Sequence, residues 1–193
     1  SIYQIQEELV KQMQNFGRAY PYSGYGLNFK EWLKEENPEP YNSFGNGSGM
    51  RVSSVAWLYD NLEDVNKYAE ITASVSHNHL EGIKGACAIA SAIYLARQNK
   101  TKEEIKKYIE DKFKYSFEVI SEVRKWHTFD ETCQVTVPIA IQAFLEGKDF
   151  EDVLKTAIYA GGDTDTIACM ACSIAEVYYE IPDKLLNFCY SKI

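Results

Sequence analysis

Apolar residues recur at the i, i+3, i+4 spacing of an amphipathic helix in almost every stretch between breakers, and no run alternates apolar and polar residues as a half-buried strand must. The chain is therefore expected to be all-α. The spacing predicts helices over Ile2–Phe16, Phe29–Glu36, Met50–Asp60, Leu62–Ser74, Leu80–Gln98, Ile105–Phe113, Val135–Leu145, Val153–Ala160, Thr166–Tyr179 and Asp183–Tyr190. Gly17 is read as the stop of the first, Gly147 as the close of the seventh, and Pro138 as tolerable only near a first turn. Thr101 with Glu104 makes a capping box, and Asp149 with Asp152 a weaker version of it. The small residues Gly82, Gly85, Ala86, Ala88, Ala90, Ser91 and Ala92 mark Leu80–Gln98 as a central, buried helix that neighbours approach closely.

At 193 residues and 46% hydrophobic content the chain fits one compact domain over 1–193, with no repeat or linker to divide it. Its net charge of -8 is spread along the sequence, and the one dense run, TKEEIKKYIEDKFK, carries both signs. Without a basic stripe, nucleic acid is not an expected partner. No apolar run approaches the roughly 18 residues of a membrane span, so no membrane association is expected. Five cysteines in hydrophobic surroundings suit reduced thiols and a cytoplasmic setting, and the lone Cys169-x-x-Cys172 lacks the second pair or histidines of a zinc site.

Three stretches could carry chemistry. In Gly161-Gly162-Asp163-Thr164-Asp165-Thr166 two glycines deliver the chain to a helix start and present oxygen ligands suited to a hard cation; on spacing alone these acids serve equally as an N-cap and a first-turn acid. Ser43-Phe44-Gly45-Asn46-Gly47-Ser48-Gly49-Met50-Arg51 can turn backbone N–H groups inward to cradle phosphate, or be a flexible connection. His77 and His79 in Ser76-His77-Asn78-His79 diverge by roughly 200° on a helix, so a zinc pair is disfavoured; one of them pointing into a cleft to hydrogen-bond a substrate and surface exposure without function are the two readings.

In this order and with these flanks, SFGNGSGMRVSSVAWLYD, SHNHLEGIKGACAIASAIYLAR and AGGDTDTIACMACSIAEVYYEIP resemble the phosphate loop, central helix and second metal motif of the ADP-ribosylglycohydrolase family, which removes ADP-ribose from arginine or serine. The likeness runs from about Tyr20 to the end, through DETCQVTVPIAIQAFLEGKDFEDVLKTAIYA. It implies a compact orthogonal multi-helix bundle. It also implies that Asp163, Asp165 and Thr166 ligate Mg2+ (Mn2+ being the alternative) in a site that is dinuclear in the family, with Asp163 and Asp165 the catalytic candidates. Ser43, Gly45, Asn46, Gly47 and Ser48 would line a diphosphate, Phe44 would pack near the adenosine, and His77 would contact phosphate or ribose.

The family's amino-terminal Thr-Asp-Asp-Thr run, which brings the other metal ligands, has no counterpart here; Glu7-Glu8 and Glu35-Glu36 lack its hydroxyl neighbours. The chain is thus expected to be amino-terminally incomplete relative to the family, with one metal or none and impaired hydrolysis. The alternatives are a catalytically inactive ADP-ribose or nucleotide binding module and a structural remnant acting through a homo-oligomer.

Overall fold

The computed structural model describes residues 1–192. The expected all-α class holds: helices α1 (Ile2–Ala19), α2 (Leu27–Trp32), α3 (Gly47–Met50), α4 (Ser53–Leu58), α5 (Leu62–Ser74), α6 (Leu80–Arg97), α7 (Lys102–Phe113), α8 (Ile120–Trp126), α9 (Cys133–Glu146), α10 (Phe150–Ala160), α11 (Thr164–Tyr178) and α12 (Asp183–Tyr190) succeed one another. Among the described residues the sole β-type pairing is an isolated antiparallel bridge between Gly45 and Thr132. No helix of the described residues is long and apolar enough to cross a membrane.

The core forms around α6. Its small residues leave a smooth cylinder, buried on most of its circumference, against which α3, α4, α5, α7, α9 and α11 all pack. Ile89 and Ile93 are fully buried there, each contributing roughly 1.5–3 kcal/mol of transfer free energy. The helix starts follow local chemistry. Asn61 accepts from Asp64 N at 2.8 Å to begin α5, Thr101 and Glu104 form the expected reciprocal box, and Asp149 accepts from Asp152 N at 2.8 Å. In that last, weaker box the Asp152 carboxylate reaches back to Lys148 N instead of the cap residue.

Three local expectations are corrected. Gly17 does not end α1, which runs on to Ala19; a Cβ there would come 2.5 Å from Leu33 Cδ1, so the glycine admits the α2 end rather than breaking a helix. Pro138 lies in the second turn of α9, because the helix begins at Cys133, whose backbone N–H donates to Phe44 O at 2.9 Å. The expected Met50–Asp60 helix is interrupted at Arg51 and Val52 between α3 and α4. The sequence pattern also missed α8, which buries only Ile120 and Val123. All five cysteines are free, Cys87 and Cys133 in the core.

Candidate functional site

The glycine-rich loop is fastened on two sides. On one side Asn46 N donates to Glu131 O at 2.7 Å and the Cys133 thiol to Gly45 O at 3.2 Å, pinning it to the segment before α9. On the other it lies directly on α6, where a Cβ on Gly82 would sit 2.7 Å from Ser43 O and 3.1 Å from His77 O. Ser48 is buried beneath the loop and its hydroxyl donates inward to Gly82 O at 2.8 Å, so the structure keeps it off the open side. The Ser43 hydroxyl accepts from Gly45 N at 3.2 Å, and Phe44 stands half-exposed at the mouth, 5.2 Å from the His79 ring.

Asn46 does not cap α3 with its side chain. Its amide Nδ2 donates instead to Asp163 Oδ2 at 2.7 Å, joining stretches 117 residues apart. Asp163 occupies the N-cap position of α11 but makes no side-chain cap bond with the helix, and Gly162 precedes it at φ +71°. A Cβ on Gly162 would meet Thr128 O at 2.8 Å, so both the backbone angle and the space call for glycine. The bland reading of Asp163 as a helix cap therefore fails on geometry: its carboxylate faces the loop.

Burial raises the Asp163 pKa first, and the Asp165 carboxylate raises it further; the Asn46 amide and the Thr166 hydroxyl pull it down. Two carboxylates only two residues apart repel when both are charged. Asp165 is exposed, while Thr166 is buried with its hydroxyl 3.7 Å from Met50 Sδ. These are hard oxygen donors and suit Mg2+ or Mn2+ on one side of the ion. Among the described residues no group of three or more His, Cys, Asp or Glu side chains is placed to hold a metal.

The two histidines lie in the connection between α5 and α6, not on a helix, and their rings have different partners. His79 begins α6 and its Nδ1 accepts from Glu81 N at 3.1 Å. His77 is 5% exposed, packs edge-on to Tyr41, and faces the loop with Nε2, 3.3 Å from where a Gly47 Cβ would be. Burial, helped by the Arg51 charge, pulls its pKa down to about 3, so the ring is neutral. Sequence reading gave no role to Arg51, Ser76 or the Glu131 carbonyl, all of which touch the loop or His77. Arg51, two residues after Gly49, was the one local signal. A groove of about 580 Å³ lined by Leu62, Asn66, Ile83, Cys87, Tyr108 and Phe113, among others, shares no residue with this cluster.

The all-helical fold is shared with a solved structure named "ADP-ribosylglycohydrolase-related protein complex". The superposition has a TM-score of 0.70, with 22% identity over 96% of this chain and 72% of the other. Residues 4–190 match the model of the ADP-ribosylglycohydrolase family, and the chain belongs to that family. The match reaches further toward the amino terminus than Tyr20, where the likeness of motifs begins.

The ADP-ribosylhydrolase ARH3 of Homo sapiens is 29% identical over 196 residues, 76% of this chain and 54% of that protein. The ARH3 of Gallus gallus is 25% identical across 89% of this chain and 63% of its own length. An uncharacterized protein of Archaeoglobus fulgidus is 32% identical across 73% and 52% respectively. The chain thus spans between half and two thirds of the length of these relatives.

Proposed function

We propose that this chain binds the ADP-ribose unit of an ADP-ribosylated protein side chain or small molecule, and contributes to cleavage of its N- or O-glycosidic bond. The observation that carries this is the 2.7 Å bond from Asn46 Nδ2 to Asp163 Oδ2, because it unites a phosphate-type loop with a pair of carboxylates. The loop backbone around Gly45 and Gly47, with His77 Nε2 beside it, takes the diphosphate. Phe44 offers a face to the adenine. The diphosphate lying on the loop puts the distal ribose toward Asp163 and Asp165.

Asp163, Asp165 and Thr166 would hold Mg2+ or Mn2+, which when bound supplies orientation of the ribose hydroxyls and a water and stabilises developing charge. The chain's own residues hold the ligand and present the two carboxylates, the groups available for proton transfer at the anomeric carbon. Three oxygen donors on one helix end leave half of a six-coordinate shell to other groups, so slow hydrolysis relative to binding is the expected behaviour of this chain alone.

Calorimetry with ADP-ribose, with and without Mg2+, tests the reading, alongside assay of ADP-ribose released from modified arginine and serine. Binding without metal, strengthened by Mg2+, with slow release is expected. A ligand at about 100 times its dissociation constant should stabilise the fold by roughly 2.7 kcal/mol. Absence of any ADP-ribose binding overturns the proposal, and rapid release by this chain overturns the claim of impairment.

A further inference from the structure

We propose that Arg51 and Ser76 lock His77 in the tautomer that carries its proton on Nε2, making the ring a fixed neutral donor aimed at the Gly45–Gly47 turn. The group it meets there is a phosphate oxygen, and that last step alone rests on the ADP-ribose reading above.

The proton inventory of three side chains leads to this arrangement. Arg51 Nη2 lies 2.8 Å from Ser76 Oγ and 3.1 Å from Thr72 O, and Nη1 lies 3.3 Å from Gly47 O. A guanidinium can only donate, so Ser76 Oγ accepts from it. Ser76 Oγ is also 2.8 Å from His77 Nδ1. The hydroxyl has one hydrogen, and Nδ1 is the partner that can take it, which makes Nδ1 an acceptor. A neutral imidazole then has its single proton on Nε2, the nitrogen nearest the loop glycines. The reverse arrangement, with Nδ1–H donating to Ser76, would leave the hydroxyl hydrogen without an acceptor in a fully buried residue.

The cost of keeping Arg51 there points the same way. No ion pair among the described residues includes it. Its Nε is buried without a partner, and burial pulls the guanidinium pKa down to about 10, still charged at neutral pH. A buried cation without a carboxylate is unfavourable, so the residue is explained by what its fork arranges: the Gly47 carbonyl, the α5 carboxyl end and the Ser76 hydroxyl, held in one register. A lysine, a point charge on a flexible stem, cannot hold all three at once. Tyr41, edge-on to the ring with centroids 5.9 Å apart, keeps its plane from turning. Arg51 and Ser76 are positioning residues, and His77 is the group that touches the ligand.

The test is a nitrogen-15 spectrum of the chain with labelled imidazoles, in which the three histidines are told apart by the missing signals of H79N and H127N. His77 is expected to show a protonated Nε2 and a bare Nδ1, unchanged from pH 5 to 8. A proton on Nδ1, an average of both forms, or a charged ring overturns the proposal. In Ser76→Ala the ring should fall back to a mixture of tautomers and ADP-ribose affinity should drop about tenfold, while Ser76→Thr restores both. A Ser76→Ala spectrum and affinity like those of the parent chain also overturn it. An Nε2–H spectrum with no ADP-ribose binding upholds the relay and overturns only the ligand assignment of the preceding section.

Discussion

Around Ser43–Gly49 the polar groups are tied into the fold on both sides, by Glu131 O, Gly82 O, the Cys133 thiol and the Arg51 fork, whereas around Asp163 and Asp165 two acids face one amide and each other. The first region is preorganised, since its loop is fastened to α6 and to the segment before α9 within the fold itself. The second is under electrostatic tension that a cation would relieve. On the proposed reading, ligand binding would rest on the first region and any metal-assisted step on the second, so the two can be tested separately.

The two regions should also respond to pH with opposite sign, and the loop side gives the larger effect. Folding lowers the His77 pKa from an ordinary 6.5 to about 3. Between these values the unfolded chain holds a proton that the native ring refuses, so the contribution of His77 is fully present above about pH 6.5 and is lost as pH falls toward 3. Urea unfolding from pH 7 to 4 should show the parent chain losing about 1.4 kcal/mol per pH unit more than His77→Asn below pH 6. Parallel slopes would mean that the ring is not held neutral, and the contrast between the regions would lose its firmest support.

Gly82→Ala attacks the preorganisation itself. The new methyl meets the Ser43 and His77 carbonyls, and neither can yield without moving the loop. Overpacking of this kind costs about 1–3 kcal/mol of stability. ADP-ribose affinity should fall about 100-fold, equivalent to about 2.7 kcal/mol, in the same calorimetry. Unimpaired affinity would show that the loop does not need its seat on α6.

How much of this was legible beforehand depends on the range of the cause. Leu62–Ser74 and Asp183–Tyr190 were readable to the residue, because caps and breakers act within a turn or two. Gly17 and Pro138 were misread because their reasons lie in Leu33 and in the Phe44 carbonyl, distant along the chain. For the site, the divergence of His77 and His79 presumes a helix that the structure does not form there, and nothing local says which of the two goes inside. The choice between helix cap and loop-facing acid for Asp163 turned on Asn46, 117 residues away. The Arg51–Ser76–His77 relay joins two chain segments through side chains alone, and no periodicity registers it.

Phe44→Ala probes the mouth of the loop without touching its fastenings. The ring is half-exposed and contacts His79, so little stability is at stake. Stacking of an aromatic ring on a base is worth about 1–3 kcal/mol, and the lower figure suits an exposed face. ADP-ribose affinity should weaken about fivefold, while binding of ribose 5-phosphate, which has no base, stays the same. Equal losses for both ligands would place the adenine elsewhere.

Asp163→Asn should have the smallest effect on folding, and the sign is the informative part. Burial, then the Asp165 charge, lifts the Asp163 pKa above the ordinary 3.8. The native state therefore keeps a proton that the unfolded chain has already released, and stability falls as pH rises through that window, the reverse of His77. At neutral pH the penalty is fully present. An amide of the same shape escapes it and still offers Asn46 Nδ2 an oxygen acceptor. The variant should be at least as stable as the parent at pH 7, within about 0.5 kcal/mol, and should bind metal-free ADP-ribose within about twofold. What it should lose is the response to Mg2+: the rise in melting temperature and the tightening of ADP-ribose expected of the parent. A variant distinctly less stable at pH 7 would mean that the carboxylate has favourable partners in the native state beyond Asn46 and Thr166. The carboxylate would then serve the fold, and the metal reading of the α11 start would fall with it.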